Sequence, residues 1–369
     1  MSQYQWLSSY ARRSLHSRDI SVPKTIHLLL CIADHYEPGN GNVSLTQADR
    51  RVDAWVDNYP QLFSRFRDSD GQAPQHTFFY PLDMYRETEV DRIAGLCREG
   101  FGEVEFHLHH DNDTADNLRG TLQRYKQILT DRHGLLSRDR ETGEIRYGFV
   151  HGNWALDNSH PDGRGCGVNN ELDVLRETGC FADFTLPSYP SPTQTRKINS
   201  IYYAVDDPAK AKSHDSGCDI GAGSPMGDAL TIIQGPLVLD WRRRKYGLLP
   251  RVENACLQSN QPPTERRLSL WLKARVQVPS RPDWYFVKVH THGAPENNQK
   301  VLLGEAMVRF HEMLAARAAT DSRFHYHYVT AREMYNLVKA AEAGSTEDVR
   351  ELRDFQLISN IHACVVGVP

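Results

Sequence analysis

Apolar and polar positions along this chain follow two alternating periods. Residues 26–32 form a continuous apolar run that ends abruptly in polar residues, which is typical of a buried parallel strand. Residues 52–63 repeat apolar side chains at helical spacing, and Thr46 with Asp49 predicts where this helix starts. The chain is therefore expected to open with a βα unit.

This βα order continues to the end of the chain. Further strand-like segments are 77–80, 104–110, 147–151, 182–186, 201–205, 230–239, 285–289 and 324–329. Further helical segments are 90–98, 114–129, 302–314 and 332–341. Seven or eight strands alternating with helices predict an α/β fold in which a parallel sheet forms an irregular (β/α)7-8 barrel. We expect one domain over residues 1–369, with a lid or insertion at about 206–280.

Charge and composition narrow the expected partners. The 369 residues are 40% hydrophobic and 24% charged, with a formal net charge of −4. Because basic and acidic residues are mixed, there is no broad positive surface for nucleic acid. The basic run Arg242, Arg243, Arg244 and Lys245 is interpreted as a solvated loop or helix end, with a grip on an anionic substrate as the alternative.

The lack of a recognisable targeting signal and the cysteine pattern predict a cytoplasmic protein. The first residues contain no apolar stretch of signal-peptide length, and no window approaches the ~20 apolar residues of a membrane span. A close CxxC pair is absent from the sequence, which argues against a disulfide framework and a structural zinc cluster. The seven cysteines are Cys31, Cys97, Cys166, Cys180, Cys218, Cys256 and Cys364.

Polar clusters follow nearly every predicted strand. Because the carboxyl ends of parallel strands lie on one face of a barrel, these clusters are expected to converge. The alternation of side chains along a strand predicts which of them turn inward. The inward-facing polar residues are then Glu105, His107, His109, His151, Asn153, Lys288, His290 and His292.

The residue types at these strand ends suit a catalytic metal. Imidazole and carboxylate bind zinc and other first-row divalent ions, and a catalytic ion needs three protein ligands and an open position. The expected ligands are found among Asp34, His35, His107 and His109. Asp34 alternatively orients or deprotonates a water whose pKa the ion lowers to about 7, while a histidine of the last cluster protonates the leaving group.

Each of these residues also has a structural interpretation. A single histidine is more often a satisfied core residue than a ligand, and we interpret His214, His325 and His327 as structural. Asp113 precedes Thr114 and is as well suited to capping the next helix as to binding metal. We treat metal binding somewhere within the two HxH strand ends as the stronger hypothesis.

Aromatic and basic residues near the same ends suggest a substrate site. Trp154 follows Asn153 at a strand end and is suited to stacking on a sugar ring, with a core position as the alternative. Arg196 ends a proline-rich loop expected over this face, where it would bind a carboxylate or sulfate unless it is simply a surface residue. If Trp154 stacks on a sugar ring, the site binds carbohydrate.

The strand ends resemble those of the glycoside hydrolase/deacetylase superfamily, whose members include the polysaccharide deacetylases. Ala33-Asp34-His35 resembles the family's Asp-Asp ending, which implies Asp34 as the base and His35 as a metal ligand. His107, between Phe106 and Leu108, is similar to the ligand histidine of the chito-oligosaccharide branch.

Two later motifs extend the resemblance over residues 26–293. His109 and Asp113 have the spacing of two metal-binding histidines in the family, which implies both as ligands. His290-Thr291-His292 resembles the strand that carries the family's general acid, here His292, and Trp241 is weakly similar to an Asp-Trp segment. The chain departs from the family by having a histidine at position 35 and an acid at position 113.

The resemblance implies a metal-dependent hydrolase that deacylates a poly- or oligosaccharide. Within the same superfamily, cleavage of a glycosidic bond is the enzymatic alternative, and it would use paired carboxylates about 5 to 9 Å apart. Glu37, Glu105 and Asp240 are the candidates for that chemistry. A carbohydrate-binding protein on a degenerate barrel is the alternative without catalysis.

Overall fold

The strands of the protein lie mainly in its first 300 residues. The computed structural model describes residues 4–16, 23–221 and 227–363. The strands are β1 (Ile26–His35), β2 (His76–Pro81), β3 (Gly102–Leu108), β4 (Ser137–Asp139), β5 (Ile145–His151), β6 (Cys180–Asp183), β7 (Ile201–Ala204), β8 (Cys218–Asp219), β9 (Leu230–Ile233), β10 (Val238–Lys245), β11 (Leu249–Glu253), β12 (Cys256–Leu257), β13 (Trp284–Thr291), β14 (Phe324–Tyr328) and β15 (Leu357–Ser359).

Helices alternate with most of these strands. The α-helices are α1 (Leu7–His16), α2 (Leu45–Phe63), α3 (Glu87–Leu96), α4 (Ala115–His133), α5 (Glu171–Thr178), α6 (Glu265–Lys273), α7 (Glu296–Leu302), α8 (Glu305–Thr320), α9 (Ala331–Glu342), α10 (Val349–Leu352) and α11 (Asn360–Ala363). Helix α3 begins before the predicted helix at 90–98 and ends at Leu96. A π-helical turn, Cys97–Phe101, follows it.

A large, mostly parallel sheet forms the centre of the molecule, as predicted for an α/β fold. Its main path runs β12-β13-β1-β2-β3-β5-β6-β9-β7-β8, and β14 pairs with the first half of β1. The ladders from β12 to β9 are parallel. Strand β7 runs antiparallel to both β9 and β8, so the expectation of an entirely parallel sheet is wrong at this edge.

Both faces of the sheet are buried, which explains the continuous apolar run in β1. Leu28, Leu30 and Ile32 belong to an apolar cluster that includes Trp55 of α2, whereas the alternate residues of β1 belong to a second cluster with Met334 of α9. The sheet is curved enough for side chains to reach across it. Thus the buried Lys288 of β13 donates a hydrogen bond of 2.6 Å to the carbonyl of Phe184, just after β6.

Side-chain caps fix the starts of two predicted helices. Helix α2 begins earlier than expected because Ser44, not Thr46, accepts the hydrogen bond from a backbone amide of the first turn. Thr114, and not Asp113, is the N-cap of α4, where its hydroxyl accepts the hydrogen bond from Asn117 N. Asp113 lies immediately before this cap, where its carboxylate accepts hydrogen bonds from Thr114 N and Asn117 Nδ2 at 2.7 Å each.

Within residues 206–280, the strand predicted at 230–239 is divided between β9 and β10, and the apolar pattern did not predict the other regular structure of this segment. Strand β9 joins the central sheet, and β10 pairs with β11 as a separate antiparallel hairpin. The basic run Arg242, Arg243, Arg244 and Lys245 is exposed on β10, so its interpretation as a loop or helix end is wrong. The strand is irregular here, because its pairing with β11 shifts register between Asp240 and Arg244.

The described residues bear on two expectations from the sequence, the absence of a membrane span and the absence of a disulfide framework. Among the residues that the structure describes, no helix combines the length and apolar character needed to cross a membrane. Six of the seven cysteines are free thiols, and Cys364 lies outside the described residues. The nucleic-acid and cytoplasmic expectations stay predictions.

Candidate metal centre

Five polar side chains meet at the carboxyl ends of three parallel strands. We call this set, His35, Glu37, His107, His109 and His292, the histidine centre. His107 Nε2 lies 3.0 Å from Glu37 Oε1, His109 Nε2 lies 3.5 Å from the same oxygen and His292 Nε2 lies 3.9 Å from it. The ring centroids of His35 and His292 are 4.7 Å apart.

The order of strands in the sheet explains this convergence. His35 ends β1, His107 and His109 come from the end of β3, and His292 follows β13. Strand β13 pairs with β1, and β2 lies between β1 and β3, so the contributing strands are neighbours in one parallel array. Parallel strands bring their carboxyl ends together, so the polar clusters after these strands converge as expected.

His35 is the least satisfied member of the centre. Its side chain is buried, yet neither ring nitrogen has a hydrogen-bond partner among the described residues. Burial, followed by the neighbouring His292 and His107, holds the pKa of His35 well below its usual range, so the ring is neutral. Each unpaired buried nitrogen costs about 1 to 3 kcal/mol, and a neutral imidazole is the form that binds metal.

Glu37 supplies the negative charge of the centre. Burial alone would raise its pKa, but hydrogen bonds from His107 and His109 hold the pKa of Glu37 well below the ordinary value. Asn40 Nδ2 donates to the second carboxylate oxygen. The ligand atoms of His35, Glu37 and His107 all lie within 4.8 Å of one another, a spacing that suits one ion.

Asp83 orients His109 from outside the centre. Its carboxylate oxygens lie 3.2 and 3.3 Å from His109 Nδ1, and it also accepts from the His109 backbone amide at 3.1 Å. Although burial opposes this shift, hydrogen bonds to Asp83 and Glu37 raise the pKa of His109 to about 9. A carboxylate on Nδ1 leaves Nε2 facing Glu37, which is the usual arrangement behind a metal-binding histidine.

Trp154 closes one side of the centre. Its ring stacks on His35 with a centroid distance of 4.5 Å and contacts His290 at 5.3 Å. The residue has a left-handed backbone conformation with φ of 58° and is only half-buried. Trp154 therefore presents an aromatic surface at the opening of the histidine centre.

Asp34 lies on the opposite face of β1 from His35. Its carboxylate is fully buried, 2.9 Å from His76 Nε2 and 2.6 Å from the Gly293 amide that donates to it. Trp55 of α2 donates to the Gly293 carbonyl at 3.1 Å. Alternation along β1 sends adjacent side chains to opposite faces, so the structure does not bring Asp34 into the histidine centre.

Three other predicted residues gather around a second group of side chains. Asp113 Oδ2 lies 3.3 Å from His110 Nδ1, and His151 lies beside His110 with ring centroids 4.6 Å apart. Asn153 is exposed and donates to the His110 carbonyl at 2.9 Å. Asp113 is therefore separated from His35, His107 and His109, with which it was predicted to share an ion.

The remaining predicted residues lie beneath or away from the opening. Lys288 is fully buried, and burial lowers its pKa to about 8. His290 is buried beside Trp154, and its Nδ1 has no hydrogen-bond partner within the described residues. Arg196 is exposed, and its backbone amide and guanidinium both bond to Asp215.

Sequence reasoning missed Glu37 as a ligand and Asp83 as an orienting residue. Both follow strands, at positions two residues beyond the last paired residue of β1 and β2. Comparison of the sequence with protein-family models and with curated proteins gives no match. The deacetylase-like resemblance therefore stays a prediction, and the function must be argued from the histidine centre itself.

Proposed function

We propose that the histidine centre binds one divalent transition metal ion and that the protein is a metal-dependent hydrolase. The observation that carries this proposal is His35, a buried neutral imidazole with both ring nitrogens unpaired, next to the carboxylate of Glu37. Zinc is the expected ion because imidazole and carboxylate are among its preferred ligands. A bound ion of this kind lowers the pKa of a coordinated water and polarises an acyl carbonyl.

In this proposal His35, Glu37 and His107 hold the ion. His109 is not a ligand; Asp83 fixes its ring so that Nε2 faces Glu37, and the fourth position of the ion is left for water. His292 is the proton carrier, because its side chain is 32% exposed while its Nε2 remains 3.9 Å from Glu37 Oε1. It can therefore reach both the centre and a leaving group in solvent.

The substrate is proposed to be an acylated poly- or oligosaccharide. Trp154 supports this class because its half-buried ring lies beside His35, and amphipathic aromatic rings pack well against the apolar faces of sugars. Removal of an N- or O-acetyl group is the favoured reaction. We also propose that the curved sheet belongs to an irregular barrel of the deacetylase type.

Glycosidic cleavage receives less support from the three carboxylates considered for it. Glu37 is bonded to His107, Glu105 accepts from the Gly148 amide at 2.6 Å, and Asp240 pairs with Arg266. Each carboxylate thus has its own partners, and Asp240 belongs to the separate β10–β11 hairpin. We therefore propose deacylation in preference to a carboxylate-pair mechanism.

The test combines metal analysis with product analysis. Protein purified without chelator is assayed on acetylated glycans for acetate release and for new reducing ends. We expect acetate release that is lost in His107→Ala and Glu37→Gln together with one equivalent of metal, and retained in the control His325→Ala. New reducing ends without acetate would contradict deacylation, and full activity of metal-free protein would contradict the metal proposal.

A further inference from the structure

A second group of potential ligands lies on the other side of the β3 end. We call this set, His110, His151, Cys166 and Glu171, the thiol centre. All four ligand atoms lie within 4.8 Å of one another, and three of the four residues are fully buried. His109 and His110 are consecutive, yet one side chain joins the histidine centre and the other joins the thiol centre.

The distances within this group approach those of a coordination shell. Glu171 Oε1 lies 3.1 Å from His110 Nε2 and 3.7 Å from His151 Nε2, and Glu171 Oε2 lies 3.3 Å from Cys166 Sγ. Tetrahedral zinc with bonds of about 2.0 to 2.3 Å separates its ligands by about 3.3 to 3.7 Å. Only small shifts are needed to place one ion among the four atoms.

Two observations beyond the cluster point to a ligand. His151 Nε2 is buried, faces Glu171 and has no hydrogen-bond partner within the described part of the chain. The Asp113 carboxylate lies 3.3 Å from His110 Nδ1, which has no hydrogen bond among the described residues, so a carboxylate is placed behind His110 as it is behind many metal-binding histidines. The contact between His110 and Glu171 is a hydrogen bond, whereas His151 Nε2 lies 3.7 Å from Glu171 Oε1 and has no hydrogen bond within the described part of the chain.

The geometry points to a structural zinc-type site formed by the thiol centre. Two imidazoles, one thiolate and one carboxylate complete a tetrahedral shell with no position for water, which distinguishes structural from catalytic zinc. On binding, the Cys166 thiol releases its proton to solvent. His151 then carries its ring proton on Nδ1, so the 3.2 Å contact from the Asn153 amide to Nδ1 is given up.

The site would fix the long connection between β5 and α5. This segment includes Trp154 and Cys166, and its backbone takes left-handed conformations at Trp154, Asp157 and Asn158. Glu171 begins α5, and its carboxylate accepts from the Asp157 amide at 2.5 Å. An ion among these groups ties the segment to the ends of β3 and β5. The ion would thereby hold Trp154 in place for stacking on a substrate. That effect rests on the proposed function, but the site itself does not.

Cobalt substitution tests the thiol centre separately from the histidine centre, which contains no cysteine. Metal-free protein is titrated with Co²⁺ while the near-ultraviolet absorption from thiolate-to-cobalt charge transfer is recorded. We expect this band to reach the intensity of one cobalt ion bound through one thiolate and to be lost in Cys166→Ser. It should persist in Cys218→Ser, which removes an exposed thiol, and in His35→Ala, which binds one equivalent less in total.

Each outcome decides a different question. Absence of the band in metal-loaded wild-type protein, or its persistence in Cys166→Ser, overturns the thiol centre whatever happens at His35. Loss of the band in wild-type protein after chelation, and its return with Co²⁺, supports the site even if Cys166→Ser fails to fold. If His35→Ala and wild-type protein bind equal amounts of metal while the band is normal, only the histidine centre fails.

Discussion

His35 shows how a buried side chain can indicate a missing partner. Most core histidines among the described residues have one, as His311 does through its 2.7 Å contact with the Tyr328 hydroxyl. The ring nitrogens of His214 also lack hydrogen bonds among the described residues, but its Nδ1 lies 4.0 Å from the Asp157 carboxylate. His35 has comparable burial, but its neighbours are other imidazoles and the face of Trp154. A folded protein rarely tolerates two unpaired nitrogens without a function for them.

At Asp34, the structure changes the expected result of a substitution. Asp34→Asn keeps the shape but disturbs the buried contacts with His76 and Gly293, so we expect the free energy of unfolding to fall by about 1 to 3 kcal/mol. Metal content should stay unchanged. Thermal denaturation, metal analysis and acetate release measure the effect, with Asp57→Asn on the exposed face of α2 as the control. A 10²- to 10⁴-fold loss of activity at unchanged stability would instead identify Asp34 as the base.

Trp154 is expected to contribute to binding of a polymer rather than to the chemical step. Trp154→Ala should raise KM for a glycan about tenfold, equivalent to about 1.4 kcal/mol, while activity on a small acyl ester is kept. The control is Trp241→Ala, because Trp241 is 54% exposed on the separate hairpin. Equal losses on both substrates, or loss of bound metal, would show that Trp154 supports His35 instead.

Single residues also mark the limits of prediction from the sequence. His107 could be predicted because alternating positions along β3 define its face. Glu37 could not be assigned by the same argument, because it lies beyond the last paired residue of β1, where the period of two no longer applies. The Asp113 spacing suggested a shared ion, but the cap of α4 and the turn after His109 direct its carboxylate to His110.

Which strands pair, and in which direction, depends on contacts that the apolar pattern does not contain. The parallel core strands were predictable because both of their faces are buried, which gives continuous apolar runs. The antiparallel direction of β7 and the β10–β11 hairpin were not, because an isolated apolar segment carries no information about the direction of its partner. The thiol centre likewise needs the ends of β3 and β5 and the start of α5 together.

Lys288 of β13 provides a test of the sheet's curvature, because its amine reaches the Phe184 carbonyl after β6. Burial lowers the pKa of Lys288 to about 8, below the usual value of about 10.4 in an unfolded chain. Between these values the folded state has lost a proton that the unfolded state keeps, so the contribution of Lys288 to stability rises with pH. Relative to Lys288→Met, wild-type protein should gain about 1.4 kcal/mol per pH unit from pH 8 to 10.

Urea denaturation at several pH values measures this effect. Lys300→Met, which alters an exposed lysine of α7, is the matched control and should differ from wild-type protein by a constant amount. A difference between wild-type and Lys288→Met that does not change with pH would show that the Lys288 amine is hydrated. The hydrogen bond from β13 to the Phe184 carbonyl would then not describe the protein in solution.

Across the whole molecule, the two centres share one end of the sheet but differ in character. The histidine centre opens past the half-exposed His109 and His292, whereas the thiol centre is closed. Their ligands join distant parts of the chain, from β1 to β3 and from β3 to α5. Metal binding to both centres should therefore stabilise the fold, because ions that bind the folded state alone shift the unfolding equilibrium.

Chelation tests this coupling to the whole fold. Removal of metal should lower Tm by several degrees, and an ion present at 1,000 times its Kd contributes about 4 kcal/mol. Re-addition of zinc should restore the original transition, whereas magnesium should not, because it prefers oxygen ligands. An identical Tm before and after verified removal of all metal would contradict this coupling.

The most direct test of the metal-dependent hydrolase proposal is an anomalous difference map from crystals of protein purified without chelator. We predict a peak bounded by His35, Glu37 and His107, at about 2.0 to 2.2 Å from their ligand atoms. Data recorded on both sides of the zinc absorption edge identify the ion. If no peak appears there after soaking with zinc, manganese, cobalt, nickel or iron, and His35 instead bonds to an ordered water, the histidine centre is not a metal site.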